Sequence, residues 1–240
     1  MIMATKSTIK TGIKKGSTIA LGYIPIAITF GLLAKSTGIP AEMAILMSAL
    51  VFAGASQFVA INLLQLHTGA WEIVLTTFIV NLRHLLMSAS LSTKIKDKVP
   101  QAWIPLLSFG ITDETFSFLS LTEQEKLSTG YILGINAIAY SAWVGGTALG
   151  VYLGQGLPTI IKNSMGIALY AMFIGLLIPS IKKSNSIALV SLIAVLISSL
   201  LHWGPSFLQQ ISRGWKIIIV TILASAIGAY LFPEVGEAIE

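Results

Sequence analysis

The chain alternates long apolar runs with short polar gaps from one end to the other. A helix crosses a bilayer in roughly 20 mostly apolar residues, whereas a spanning β-strand would show about 10 residues of alternating polarity. These runs are long and continuously apolar, so they predict helices. They cover residues 17–34, 41–64, 70–92, 102–121, 130–155, 164–181, 186–203 and 216–233. The pattern therefore predicts an all-α, polytopic integral membrane helix bundle of about eight transmembrane segments.

Tryptophan positions support the limits of these runs. Trp71, Trp103, Trp203 and Trp215 lie at predicted edges, whereas Trp143 lies within the fifth run. Indole rings favour the headgroup level of a bilayer. We therefore expect the first four at membrane interfaces, and we expect Trp143 to face protein or a cavity.

The N-terminus is basic, with four lysines before the first run. A signal peptide also begins this way, but this run is longer than a usual signal core and no A-x-A cleavage site follows. We interpret residues 1–16 as a basic cytoplasmic segment of a single transmembrane domain covering residues 1–240. Apart from Arg83, the lysines and arginines divide equally between the two sides, so the positive-inside rule selects no orientation. A broken or re-entrant run, or dual orientation, would produce such a tie.

Composition excludes several classes of protein. Of 240 residues, 55% are hydrophobic and 10% are charged, and the mean hydropathy is +0.84. Soluble domains carry about 25% charged residues. The net charge of +5 resides largely in lysines between apolar runs, which fits contact with a lipid bilayer better than with nucleic acid. Cysteine is absent, as are the P-loop, zinc-protease and serine-elbow motifs, so we predict no enzyme, no cofactor and no metal.

The third run carries the polar residues Asn81, Arg83 and His84. An arginine at the middle of a transmembrane helix costs about 2.5–3.5 kcal/mol on insertion scales, so it persists only where it is paired or faces water. Asn81 and His84 share one helical face with Ser88, and Arg83 points about 100° away from His84. These residues predict a site that contacts substrate or protons. The structural alternative is a buried ion pair that only holds helices together.

Two adjacent carboxylates, Asp113 and Glu114, lie roughly midway along the fourth run. They are the expected partners of Arg83 and His84. Burial disfavours the charged form of a carboxylate and a nearby cation favours it, so a carboxylate between these influences can bind and release a proton. The sequence does not decide which of the two would do so, and one of them could serve only to neutralise Arg83.

The second and fifth runs contain clusters of small residues. Gly54, Ser56 and Gln57 suggest a break or a close helix approach in the second run. A broken helix exposes backbone groups that bind the ends of small solutes, whereas ordinary small-residue packing would need only one hydrogen bond from Gln57. In the fifth run, Asn136 and Tyr140 share a face. Glycines at a spacing of four predict a helix-packing face there, formed by Gly146, Gly150 and Gly154.

Taken in order, these motifs resemble the AzlC family, the large subunit of bacterial branched-chain amino acid exporters. The resemblance runs from about residue 17 to about residue 233. Thr115 stands where the family has serine, which keeps the hydroxyl. The segments that carry the resemblance are Phe52-Ala53-Gly54-Ala55-Ser56-Gln57-Phe58, Asn81-Leu82-Arg83-His84-Leu85-Leu86, Asp113-Glu114-Thr115-Phe116, Tyr140-Ser141-Ala142-Trp143-Val144-Gly145-Gly146-Thr147 and Ala171-Met172-Phe173-Ile174-Gly175-Leu176-Leu177-Ile178-Pro179.

The resemblance implies proton-driven export of leucine, isoleucine and valine across a bacterial plasma membrane, together with a small AzlD-type membrane subunit. Asp113 or Glu114 would then carry the coupled proton, and Arg83 would meet the substrate carboxylate or hold Asp113. The expected substrate contacts are Gln57, Asn81, Arg83, His84 and Asn136. Three alternatives stay open: a transporter of another small apolar solute, a non-transporting membrane scaffold, and an intramembrane enzyme that uses His84.

Overall fold

The structure is a computed structural model that describes residues 2–96, 98–123, 127–153, 174–175 and 177–233. Every regular element in these ranges is helical, which confirms the all-α prediction. A short 3-10 turn, Gln101–Trp103, precedes α5. The helices are α1 (Ile2–Ser36), α2 (Ala41–Val51), α3 (Gly54–Gln65), α4 (Ala70–Ile95), α5 (Ile104–Phe109), α6 (Asp113–Ser120), α7 (Thr129–Leu153), α8 (Asn185–Trp203), α9 (Ser206–Gln209) and α10 (Arg213–Leu231).

Five of the described helices are long and apolar enough to cross a membrane. They are Thr8–Ser36, Ala70–Ile95, Thr129–Leu153, Asn185–Trp203 and Arg213–Leu231. They match the first, third, fifth, seventh and eighth predicted runs, so the prediction of a polytopic membrane protein is confirmed. Helix α1 begins at Ile2, well before the predicted start of the first span. Most of the sixth predicted run, 164–181, lies outside the described residues.

Two predicted spans are interrupted helices, so the count of about eight spans is approximate. The second run is divided between α2 and α3, which have 11 and 12 residues. At about 1.5 Å per residue, each of these helices is roughly half as long as a bilayer core is thick. The fourth run is divided between α5 and α6. A broken run was one of the explanations that the sequence left open for the equal division of lysines and arginines.

The break between α2 and α3 lies at Phe52, whose backbone is left-handed at φ 45° and ψ 43°. This conformation costs a residue with a side chain roughly 1–2 kcal/mol. Packing holds it in place, because the Phe52 ring lies 5.3 Å from the Tyr140 ring and 6.3 Å from the Tyr23 ring. The Gln57 side chain also accepts a hydrogen bond from the Ala53 backbone at 3.3 Å.

The break between α5 and α6 ends in a reciprocal cap. The Thr115 backbone nitrogen donates to Thr112 Oγ1 at 3.3 Å, and the Thr112 backbone nitrogen donates to Thr115 Oγ1 at 2.7 Å. These bonds satisfy donors that a helix start otherwise leaves unpaired. Asp113 and Glu114 consequently lie in the first turn of α6. Carboxylates are favourable at that position because a helix N-terminus carries partial positive charge.

The chain divides into two compact units. The first comprises residues 1–61 and 80–169, and the second comprises residues 62–79 and 170–240. The organisation of residues 1–240 as a single transmembrane domain stays a prediction.

The most extensive helix pair of the first unit is α1 with α7. The backbones of α1 and α7 approach each other closely at glycines. A Cβ atom added at Gly31 would lie 3.1 Å from Gly150 Cα, and one added at Gly146 would lie 2.7 Å from Ala27 Cβ. Gly146 and Gly150 therefore lie in the contact with α1, whereas Gly154 is outside the described residues.

In the second unit, α8 packs against α10. A Cβ atom added at Gly228 on α10 would lie 2.8 Å from Val190 Cγ2 on α8. The start of α10 is held by Glu72, whose carboxylate accepts hydrogen bonds from the Ser212 hydroxyl and, at 3.2 Å, from the Trp215 backbone nitrogen. A carboxylate at a helix N-terminus both caps backbone donors and complements the helix dipole.

Candidate functional site

The centre of the candidate site is an ion pair between Arg83 on α4 and Asp113 on α6. Arg83 Nη1 lies 2.7 Å from Asp113 Oδ2, and each side chain is 31% exposed. The sequence predicted carboxylate partners for Arg83, and the structure places Asp113 there. A short N–O distance between two charged groups is typical of a charge-assisted hydrogen bond.

The second carboxylate has a different partner. Glu114 Oε2 accepts a hydrogen bond at 2.5 Å from the hydroxyl of Tyr23 on α1. The Tyr23 oxygen also lies 2.5 Å from Thr112 Oγ1. A phenol has one hydrogen to donate, and Tyr23 donates it to the Glu114 carboxylate. The Thr112 hydroxyl is therefore the donor in its hydrogen bond with the Tyr23 oxygen. The three side chains form a hydrogen-bonded chain from α6 through α1 and back to α6.

The His84 ring contacts a backbone carbonyl of the interrupted fourth span. His84 Nδ1 lies 2.8 Å from the Ile111 carbonyl oxygen, which can only accept, so Nδ1 carries the hydrogen. We expected a carboxylate partner for His84, and this was wrong. The carbonyl of Ile111 is open to His84 because it lies in the break between α5 and α6, outside any helix.

Several buried polar atoms near this pair have no hydrogen-bond partner within the described part of the chain. They are Asn81 Oδ1, Arg83 Nε, His84 Nε2 and, on α7, Asn136 Oδ1. An unpaired buried polar atom costs about 1–3 kcal/mol, and few remain in native proteins unless a water or ligand meets them. The site therefore offers both donors and acceptors to a small solute.

Gln57 lies in a buried hydrogen-bond network at the α2–α3 break. It is 1% exposed. Its Oε1 accepts from Trp143 Nε1 at 3.0 Å as well as from the Ala53 backbone, and its Nε2 donates to Ser48 Oγ at 3.0 Å. Trp143 faces protein, as expected. This geometry gives Gln57 a direct role in holding the α2–α3 break, and its contact with substrate stays a prediction.

A cavity of about 330 Å³ lies between the end of α5 and α7 in the same unit. Asn136 is the most polar residue of its wall, and the side chain donates from Nδ2 to the Leu107 carbonyl at 2.9 Å. The cavity is lined by Leu106, Phe109, Gly110, Leu133, Asn136, Ala137 and Tyr140. The site thus combines charged groups at a broken span with an apolar recess beside the same break.

Tyr23 and Thr112 belong to this site, and the sequence analysis named neither as a functional residue. The tyrosine is the more distant of the two from Glu114 in sequence. It is 5% exposed and lies 91 positions from Glu114. The available signal was a phenol two residues before Pro25, within an otherwise apolar run. Among the described residues, no group of three or more histidines and carboxylates could hold a metal ion.

These features define a polytopic α-helical membrane protein with a charged site at an interrupted span. A family model described as "AzlC protein" matches residues 18–157, which include every candidate site residue named above. The chain therefore belongs to the AzlC family.

Relatives from three organisms agree with this assignment. The chain is 34% identical over 192 residues to an uncharacterized membrane protein of Archaeoglobus fulgidus, covering 79% of this chain and 83% of that protein. It is 30% identical over 192 residues to the inner membrane protein YgaZ of Escherichia coli, with 77% and 78% covered. It is 29% identical over 136 residues to the branched-chain amino acid transport protein AzlC of Bacillus subtilis, with 56% and 53% covered. No solved structure matches the chain.

Proposed function

We propose that this protein is a secondary transporter subunit that exports branched-chain amino acids from bacteria, driven by protons. It acts in the plasma membrane with a small AzlD-type membrane subunit. Two relatives support this proposal, one named as a branched-chain amino acid transport protein and one as an inner membrane protein. Within the chain, the observation that carries it is the unequal environment of two neighbouring carboxylates.

Asp113 and Glu114 differ in what faces them. Asp113 is held by the permanently charged Arg83 in an ion pair. Glu114 instead contacts the neutral phenol of Tyr23, which links this carboxylate to α1. We assign proton coupling to Glu114 for this reason, and Asp113 remains the fixed partner of Arg83.

Protonation of Glu114 would reverse the hydrogen-bond chain that joins α6 to α1. An ionised carboxylate only accepts hydrogen bonds, whereas a carboxylic acid also donates one. Once Glu114 carries a proton, it can donate to the Tyr23 oxygen, and the Tyr23 hydrogen then turns to Thr112. The proton thereby changes a contact between two helices, which is what coupling to a conformational change requires.

The unpaired atoms fit the two ends of an amino acid. Arg83 keeps an unpaired Nε–H beside the Nη1 that holds Asp113, so a substrate carboxylate can approach the guanidinium. Because Nδ1 of His84 carries the hydrogen, Nε2 of the neutral ring is an acceptor, as is Asn81 Oδ1. These two atoms, and Asn136 Oδ1 on α7, are the acceptors that an ammonium group could meet.

Uptake of labelled leucine into everted membrane vesicles tests this proposal. Export from the cell becomes uptake into such vesicles, so an imposed acid-inside gradient should drive accumulation when both subunits are present. Glu114→Gln should abolish the gradient-driven accumulation and keep leucine exchange down its own gradient. Asp113→Asn should lower both activities because it leaves Arg83 without its partner.

The matched control is Glu42→Gln, which changes an exposed carboxylate in the first turn of α2 and should transport normally. Gradient-driven accumulation at the wild-type level by Glu114→Gln would contradict the assignment of the proton. Normal exchange and accumulation by both Glu114→Gln and Asp113→Asn would contradict proton coupling at this site altogether.

A further inference from the structure

The cavity beside the α5–α6 break has the size and lining of a small-solute site. Its volume of about 330 Å³ is at the lower end of the range of roughly 300–1,000 Å³ found for small-molecule pockets. Leucine, phenylalanine and alanine side chains form most of the wall. Leu106 and Phe109 are 53% and 43% exposed, so the cavity is open on one side.

One polar atom in this apolar wall lacks a partner. Asn136 is 5% exposed, and its Nδ2 is fixed by the Leu107 carbonyl, so the amide cannot turn without losing that bond. Its Oδ1 has no donor within the described residues. An apolar recess with a single fixed acceptor suits a ligand that has an aliphatic body and one N–H donor close to it.

The cavity also adjoins the charged part of the site. Gly110 lines the cavity, and the next residue, Ile111, presents its carbonyl to His84. The Phe52 ring lies 6.1 Å from Phe109 in the cavity wall and 6.3 Å from Tyr23, which binds Glu114. The left-handed Phe52 therefore touches both the recess and the residue that holds the proposed proton carrier.

We propose that this cavity receives the aliphatic side chain of the transported amino acid, with its ammonium group near Asn136 Oδ1. Ala137 and Leu133, which face the cavity from α7, determine how large a side chain is accepted. This inference rests on the proposed function and adds to it the place at which one amino acid is distinguished from another.

The side chains at positions 137 and 133 permit opposite changes in cavity size. Ala137→Leu adds three carbon atoms to the wall and should disfavour leucine relative to valine. Leu133→Ala removes three carbon atoms and should admit phenylalanine or methionine better than the wild type does. One methylene in an apolar pocket changes discrimination by about 10- to 200-fold, so we expect each ratio to shift by at least about 10-fold.

The experiment compares export of valine, leucine, methionine and phenylalanine from cells loaded with the corresponding dipeptides. Each variant is expressed with the partner subunit, and its abundance in the membrane fraction is measured. Gly145→Leu is the matched control, because it adds a leucine to the same helix where an added Cβ atom meets no heavy atom within 4 Å. This control should keep the wild-type preference.

The possible results separate the two proposals. A lower leucine-to-valine ratio in Ala137→Leu and a higher phenylalanine-to-leucine ratio in Leu133→Ala support the cavity as the side-chain site. Wild-type ratios in both variants, with normal export, overturn the cavity assignment and leave the export function standing. If Ala137→Leu does not accumulate, the ratio in Leu133→Ala alone decides. An absence of export by the wild-type pair overturns the proposed function and the cavity assignment together.

Discussion

Neutralising both members of the Arg83–Asp113 pair should restore stability that neutralising either one removes. Arg83→Gln leaves a carboxylate without its cation, and Asp113→Asn leaves an arginine without its anion inside a spanning helix. Breaking a fully buried pair costs about 3–5 kcal/mol. Each side chain here is 31% exposed, so solvent screens part of the charge and we expect about 1–3 kcal/mol for each single variant.

The double variant, Arg83→Gln with Asp113→Asn, leaves no uncompensated charge. Two neutral amides can still hydrogen-bond across the 2.7 Å contact, so its loss of stability should be smaller than that of either single variant. The assay is the melting midpoint of the purified protein in detergent. It is determined from size-exclusion profiles recorded after heating. A double variant that loses as much stability as the two single variants together would refute the coupling.

Transport separates the functional interpretation from a purely structural one. We propose that Arg83 also meets the substrate carboxylate, so the double variant should regain stability and still fail to export leucine. A scaffold whose charges only hold helices together predicts no such substrate-specific defect. Recovery of export together with stability in the double variant would therefore show that the pair has no role in substrate binding.

Three further variants test the geometry around this pair. Tyr23→Phe removes the hydroxyl that donates to Glu114, and a hydrogen bond to a charged group is worth about 1.5–3 kcal/mol. Gradient-driven leucine uptake into everted vesicles should therefore slow roughly 10-fold or more. Uptake at the wild-type rate would contradict this. Gln57→Leu leaves the indole and backbone donors at the α2–α3 break unpaired. It should therefore cost more free energy of unfolding, followed by the melting midpoint in detergent, than free energy of leucine binding. Gly150→Leu should prevent accumulation in the membrane, measured by immunoblot of the membrane fraction. Gly145→Leu should accumulate normally because a Cβ atom added there meets no atom of another helix within 4 Å.

Hydropathy alone predicted the helical spans, because burial in lipid requires long apolar helices whatever the rest of the sequence does. It also predicted that Arg83 is either paired or faces water, since an isolated arginine within a span is costly. The small residues around Gln57 suggested a break or a close helix approach, and the structure has the break between α2 and α3. The left-handed backbone of Phe52 was not predictable, because a phenylalanine adopts it only when distant rings hold its side chain.

The break between α5 and α6 had a local signal that the continuous hydropathy concealed. Thr112 and Thr115 are spaced as a reciprocal helix cap, and Asp113 and Glu114 suit a first helical turn. Tyr23 had no comparable signal. Its contact with Glu114 joins residues 91 positions apart and arises only from the close packing of α1 within the first unit.

Export of branched-chain amino acids from loaded cells tests the central claim most directly. Cells that lack their own exporters are loaded with leucine- and valine-containing dipeptides, and free amino acids in the medium are followed over time. The account predicts release above vector when this chain is expressed with an AzlD-type subunit, and little release by either subunit alone. Release at the vector level from cells that contain both proteins in the membrane would contradict it.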